Sequence, residues 1–231
     1  MRMQQLALTL SNTRRGGARA GAGRKPRPAG ARRTPHRARE KHQARHPVHV
    51  TLRASLRSLR AQHVVRTVLG ALRDSNRESF RVAQYSIQDN HVHLLVEAEN
   101  NARLSSGVRG LMVRIAKRVN RLLSRRGQFW ADRWHGVPLT TPRQVRNALV
   151  YVLQNHRKHH ASLLNASKVA GPGLPILDPA SSAQWFDGFA APLPSGFLSI
   201  GPRTVVPARS WLLAQGWRRR GLIAFCEQPR S

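Results

Sequence analysis

His91 and His93 bracket Val92, and much later in the chain Tyr151 is followed four residues on by Asn155. In an extended strand, alternate side chains share a face, so the two imidazoles point one way and Val92, Leu94 and Val96 the other. Two imidazoles about 7 Å apart along one face can share a metal ion when that face looks into a pocket. Residues four apart on a helix lie one turn apart on one side. Tyr151 and Asn155 therefore point together, away from the apolar stripe of Val145, Leu149 and Val152. If that helix side meets the two histidines, one site holds two imidazoles, an amide oxygen and a phenol. His91, His93 and Asn155 form a mixed N/O set with open positions, which suits Mg²⁺ or Mn²⁺ bridged to a phosphate oxygen. Zn²⁺ usually takes a thiolate, a carboxylate or a third imidazole. The Tyr151 phenol is then a nucleophile beside a polarised phosphorus. Its ordinary pKa is about 10, so a neighbouring cation has to lower the cost of ionising it.

Charge names the partner that such a site would face. The chain has 231 residues with 40 Lys+Arg against 10 Asp+Glu, a formal net charge of +30. That excess repels itself unless a polyanion is near, which makes nucleic acid the leading partner. An anionic membrane surface is the rival partner, but no membrane partner is expected, and no apolar run approaches the ~18 residues of a spanning helix. The N-terminus lacks the apolar core of a secretion signal. Cys226 is the single cysteine, which excludes an intramolecular disulfide and a multi-cysteine zinc site. A cytoplasmic protein facing nucleic acid fits these bounds.

The elements that must position the site follow from periodicity. Residues 1–46 are rich in Arg, Gly, Ala and Pro with little to bury, and they predict a disordered basic arm. Pro47 to Arg53 alternates as a first strand. Val64, Val65, Val68, Leu69 and Leu72 predict an amphipathic helix over about 60–75. Phe80 to Ile87 reads as a second strand, with Tyr85 on the apolar side of Ala83 and Ile87. Asp89-Asn90 suits a two-residue hairpin turn because both types tolerate positive φ. His91 to Glu97 is the third strand. Leu104, Val108, Leu111, Met112, Ile115, Val119 and Leu122 predict a long second helix. A turn and fourth strand occupy 127–139, where Phe129 or Trp134 could stack on a base and Trp130 belongs to the core. Thr141-Pro142-Arg143-Gln144 is a capping box with proline at the first helical position, opening a third helix to about His159.

Strand, helix, strand, strand, helix, strand is the split βαβ arrangement: an α+β, ferredoxin-like βαββαβ fold with a four-stranded antiparallel sheet and two helices on one face. The third, catalytic helix is extra and is free to cover the face of His91 and His93. The expected organisation is a basic arm over 1–46, a catalytic domain over 47–160, and a Pro/Gly-rich extension over 161–231. In that extension Trp185, Phe186 and Phe189 are isolated anchors, and a short basic helix spans about 207–220.

Taken together, Asn90-His91-Val92-His93-Leu94-Leu95, the Gly127…Phe129-Trp130…Arg133 segment and Tyr151-x-x-x-Asn155 resemble the single-tyrosine HUH transposases, closest to the REP-associated tyrosine transposase branch. The resemblance covers about 47–160. It implies a ferredoxin-like domain acting on single-stranded or hairpin DNA, such as a palindromic repeat. Tyr151 would attack a backbone phosphate, leaving a 5′-phosphotyrosine and a free 3′-hydroxyl, and a second strand's 3′-hydroxyl would reverse the step. A residue one turn after the tyrosine completes the metal site in that family, which maps to Asn155. Many relatives have Asn-Pro there, whereas this chain has Asn155-His156.

Secondary roles follow from position. His49 and His135 are candidates for supporting the metal ligands. Arg109, Arg114, Lys117, Arg118, Arg121 and Arg125 on the second helix, with Arg53, Arg133, Arg157 and Lys158, are candidate DNA contacts because the charge is nearly all of one sign. His156, His159 and His160 read as a basic cluster at a helix end. Replication initiators of the same chemistry often place lysine three residues after the tyrosine; here Gln154 stands there. A catalytically silent or domesticated copy that binds single strands on an RRM-like sheet is the rival, but such sheets display an aromatic pair, and this face carries His49, His91 and His93. The sequence does not choose between a monomer and a homodimer.

Overall fold

The computed structural model describes residues 41–167, 177–193 and 201–229, with the side chains of 157–167 outside that description. Strands β1 (Val48–Arg53), β2 (Phe80–Ile87), β3 (His91–Ala98) and β4 (His135–Pro138) form one antiparallel sheet in the order β2-β3-β1-β4. This is the ferredoxin-like order expected from the element sequence. The β1–β3 register sets Thr51 opposite His93 and Arg53 opposite His91.

Each sheet face has its own core. Val48, Val50, Leu52, Val92, Leu94 and Val96 point toward α1 (Gln62–Arg73) and α2 (Asn101–Leu122). Asn100 caps α2, its side chain accepting from the Arg103 amide at 3.0 Å. Gly107 lets α2 approach β2, because a Cβ there would fall 2.2 Å from the Phe80 ring.

The opposite face packs against α3 (Pro142–Ser167) through Leu95, Ala83, Val145, Leu149 and Val152. The capping box forms as expected: the Gln144 amide donates to Thr141 Oγ1 at 3.2 Å, and the Thr141 amide donates to Gln144 Oε1 at 3.2 Å. The helix outlasts its expected end near His159 and reaches Ser167, with a kink at Gln154 (φ −120°, ψ 16°).

Three local expectations are corrected. A β-bulge between Val82 and Gln84 puts Phe80, Val82, Tyr85 and Ile87 on the α1/α2 side and sends Ala83 to the other. Tyr85 is fully buried as expected, but not on the side of Ala83. The Asp89-Asn90 turn uses no positive φ, and it is tied instead to the β1–α1 loop: Asp89 Oδ1 accepts from the Ser58 amide at 3.0 Å and Asp89 O from the Leu59 amide at 2.9 Å. Residues 41–46, assigned to the basic arm, are placed against the domain, with buried His42 Nε2 2.8 Å from Ala98 O. The rest of the predicted arm lies outside the described residues.

The C-terminal extension is part of the fold. Its first described segment runs along the free edge of β2, where the Ile87 amide donates to Ala180 O and the Ser182 amide to Tyr85 O, each at 2.9 Å. Covering an edge strand removes its unpaired backbone groups. Asp178 is buried and accepts a bidentate pair from Arg60, both bonds 2.8 Å. Helix α4 (Trp211–Ala214) and a 3-10 turn (Gly216–Arg220) then pack on α3, burying Trp217 against Phe186. The single basic helix expected over 207–220 is therefore two short pieces.

Candidate active site

The histidine face of β1 and β3 is roofed by α3, and there the sequence-distant groups meet. The His91 and His93 rings stand 4.7 Å apart between centroids at 83°, as expected for alternate residues of one strand. The Tyr151 ring meets His93 edge to face at 87°, centroids 4.9 Å apart, and meets His49 at 5.5 Å. His93 is nearly buried, while His91, His49 and Tyr151 are part-buried.

Each of the two imidazoles is fixed through Nδ1. His93 Nδ1 lies 3.2 Å from both His49 Nε2 and Thr51 Oγ1. His91 Nδ1 lies 2.7 Å from Asn90 Oδ1, which accepts the ring proton. Engaging Nδ1 orients a ring and would make Nε2 the ligating atom if a metal bound. The sequence places Thr51 on the histidine side of its strand and Asn90 in the turn, but gives neither a role at the site. Thr51 alternates with His49 on the same face of β1 and Asn90 abuts His91, so both signals were present in position.

Burial sets the electrostatics. It pushes the His49 imidazole down to about 4, with the charge of His135 adding to the effect, so His49 is neutral at pH 7. His135 itself is exposed at the start of β4, opposite Thr51. Burial also raises the Tyr151 phenol above its ordinary value, so the protein alone does not favour the phenolate.

Asn155 follows Tyr151 past the kink at Gln154. It is fully buried, and among the described residues neither its Oδ1 nor its Nδ2 has a hydrogen-bond partner. An unpaired buried amide is costly and calls for a ligand. Among the described residues no three His, Cys, Asp or Glu side chains gather around one point. A cation held by His91 and His93 would need its remaining donors from elsewhere, from a carboxamide such as that of Asn155 or from the substrate. Two imidazoles plus an amide oxygen fit a divalent ion with open positions.

The candidate DNA contacts fall on both sides of the sheet. Arg53 is exposed at the end of β1 beside His91, on the histidine face, and Arg133 is exposed just before β4. Helix α2 lies across the sheet from Tyr151, so its basic face is remote from the histidines. Arg109, Lys117 and Arg121 are exposed there. Arg118 pairs with Asp74 at 2.6 Å, Arg114 donates to Ser75 Oγ at 3.2 Å, and Arg125 is part-buried. Arg157, Lys158, His159 and His160 have side chains outside the described set. Phe129 is buried and so is not a base-stacking surface. Trp130 joins the core as expected, its Nε1 donating to Met112 O at 3.0 Å, and Trp134 packs against the same core.

Comparison with known proteins finds a family match over the part of the chain that carries these residues. Residues 43–155, just under half the chain, match the family model described as "Transposase IS200 like". A solved structure of a REP-associated tyrosine transposase bound to a REP hairpin aligns with 15% identity and a TM-score of 0.44, covering 55% of this chain and 74% of that one. No curated protein matches the chain. Among the described residues no helix is long and apolar enough to cross a membrane.

Proposed function

We propose that this chain, whose residues 43–155 match the IS200-like transposase family model, cleaves and rejoins single-stranded or hairpin DNA with Tyr151 as nucleophile. The observation that carries this reading is the meeting of Tyr151 with His93, 4.9 Å between ring centroids, on a face that also holds His91. Tyr151 Oη forms a bond to a backbone phosphorus, and the bond from that phosphorus to the 3′-oxygen breaks. The phenol gives up its proton and the departing 3′-oxygen gains one. The 5′-phosphotyrosine keeps the energy of the phosphodiester, so a second 3′-hydroxyl can reverse the step without ATP.

His91, His93 and Asn155 are the residues that would hold Mg²⁺ or Mn²⁺, which when bound supplies Lewis-acid stabilisation of charge at the phosphate. With Nε2 of each imidazole given to the ion, Nδ1 carries the proton. His93 then donates to neutral His49 and to Thr51, and His91 donates to Asn90. Arg53 and Arg133, both exposed, would draw the strand toward the histidines. An RRM-like open platform is disfavoured, because α3 covers the sheet face that would have to display stacked bases.

The test is a labelled hairpin oligonucleotide incubated with the protein and Mn²⁺, then run on a denaturing gel. A covalent adduct is expected for the wild type and none for Tyr151→Phe. Binding by both proteins with no adduct from either would instead describe a domesticated binding protein.

A further inference from the structure

Outside the family-matched stretch, the C-terminal segment brings a group of arginines to the flank of α3. Arg220 and Arg143 line a depression of about 210 Å³ together with Arg146, Asn147, Val150, Glu227 and Gln228. Arg146 is neutralised, its Nη2 lying 2.9 Å from Glu227 Oε2 and its Nε donating to Gly221 O at 3.0 Å. Arg218 is neutralised by Asp187 at 2.9 Å. Arg143, Arg219 and Arg220 are exposed, and among the described residues none has a carboxylate within ion-pair range.

Arg219 is held in place all the same. Its guanidinium lies over the Trp211 indole, 4.8 Å from the ring centroid. Trp211 is 47% exposed, and it sits so close to Gly216 that a Cβ there would come within 2.7 Å of the ring. A stacked guanidinium presents its N–H edge outward, where it can meet a phosphate. Arg220 follows it in the chain and shares the depression with Arg143, and unpaired cations raise the cost of leaving such a patch empty and the gain from a polyanion.

We propose that Arg143, Arg219, Arg220 and Trp211 form a second nucleic-acid surface that binds the phosphodiester backbone of the single-stranded DNA flanking the cleaved bond. The partner is read from the chemistry: a positive groove beside an exposed indole suits a single strand, whose bases are free to meet an aromatic ring. The position agrees. Val150 lines the depression and directly precedes Tyr151, and successive helix residues point about 100° apart. A strand leaving the nucleophile therefore meets this flank next. The choice of DNA rests on the transposase reading above.

The test uses the full chain carrying Tyr151→Phe, so that binding is read without cleavage. Fluorescence anisotropy follows a labelled DNA hairpin with a single-stranded tail across a range of salt concentrations. Adding Arg143→Ala, Arg219→Ala and Arg220→Ala together is expected to reduce the slope of log K against log salt by about 2, at roughly 0.7 per phosphate contact on single strands. The corresponding triple Lys variant is expected to keep the slope, which separates charge from folding. Trp211→Ala is expected to weaken binding roughly tenfold. An unchanged slope overturns the proposal, as does a Lys variant that loses as much as the Ala variant. Loss confined to an RNA of the same sequence would overturn the choice of DNA. The two readings fail separately: a wild-type adduct with an unaffected slope removes only this surface, and a reduced slope with no wild-type adduct removes only the chemistry.

Discussion

His49 Nε2 lies 3.2 Å from His93 Nδ1, a diagonal contact across β1 and β3 on the face that Tyr151 covers. A part-buried histidine held at about 4 stays neutral across the working range and keeps a lone pair with which to accept from His93. Groups that orient a metal-binding imidazole commonly tune its affinity by about 10–100-fold. His49→Ala is therefore expected to raise the Mn²⁺ concentration for half-maximal cleavage by about that factor. His49→Gln, whose amide oxygen also accepts, is expected to recover part of it. Calorimetric titration with Mn²⁺ checks the same point without DNA. An unaltered metal requirement would reduce His49 to a packing residue.

Gly107 makes a prediction that helix propensity alone gets backwards. Alanine in place of an interior helical glycine usually gains up to about 1 kcal/mol. Here the new methyl would meet the buried Phe80 ring. Overpacking of that kind costs about 1–3 kcal/mol, so Gly107→Ala is expected to lower the melting temperature. A raised melting temperature would mean that β2 and α2 are less tightly apposed.

Tyr85 and Tyr151 are the two tyrosines of the chain. Burial pushes the Tyr85 phenol up to about 12. The fold thus favours the neutral phenol, so its contribution to stability is complete below about pH 10 and is lost as pH rises from there through 12. In Tyr151→Phe, where Tyr85 is the remaining tyrosine, the phenolate absorbance at 295 nm is expected to appear near 12. A step near 10 would place Tyr85 in solvent.

Glu97 ties the C-terminal segment to the sheet. Its Oε1 accepts from the Ser210 amide at 2.8 Å and the Ser210 hydroxyl at 2.7 Å, and its Oε2 accepts from the Arg209 amide at 2.9 Å. Glu97→Ala leaves those donors without their acceptor, at a cost of about 1–3 kcal/mol for each group left buried and unsatisfied. Faster tryptic cleavage after Arg209 is the expected readout. Cleavage at the wild-type rate would show that the hydrophobic anchors Trp217 and Phe186 hold the segment by themselves.

Much of the site was legible because its parts obey short-range rules. Alternation put His91 and His93 on one face and Val92, Leu94 and Val96 on the other, and Thr141 with Gln144 announced the helix that carries Tyr151. The missed features depend on partners far along the chain. The adjacent apolar pair Val82-Ala83 breaks the alternation of β2 and was a visible sign of its bulge. The Asp89-Asn90 hairpin turn forms as expected but without positive φ, its carboxylate and carbonyl accepting from the Ser58 and Leu59 amides. The role of the C-terminal extension was hidden because its charges are answered elsewhere, Asp178 by Arg60 and Glu227 by Arg146. The basic face of α2 was easily seen, but only the fold shows it lying across the sheet from the histidines.

The most direct measurement is mass spectrometry of the peptide containing Tyr151 after incubation with hairpin DNA and Mn²⁺. A nucleotide phosphate attached to Tyr151 in the wild type, and absent from His91→Ala and His93→Ala, is the predicted result. DNA cut with Tyr151 unmodified, or cut equally well by Tyr151→Phe, would contradict it.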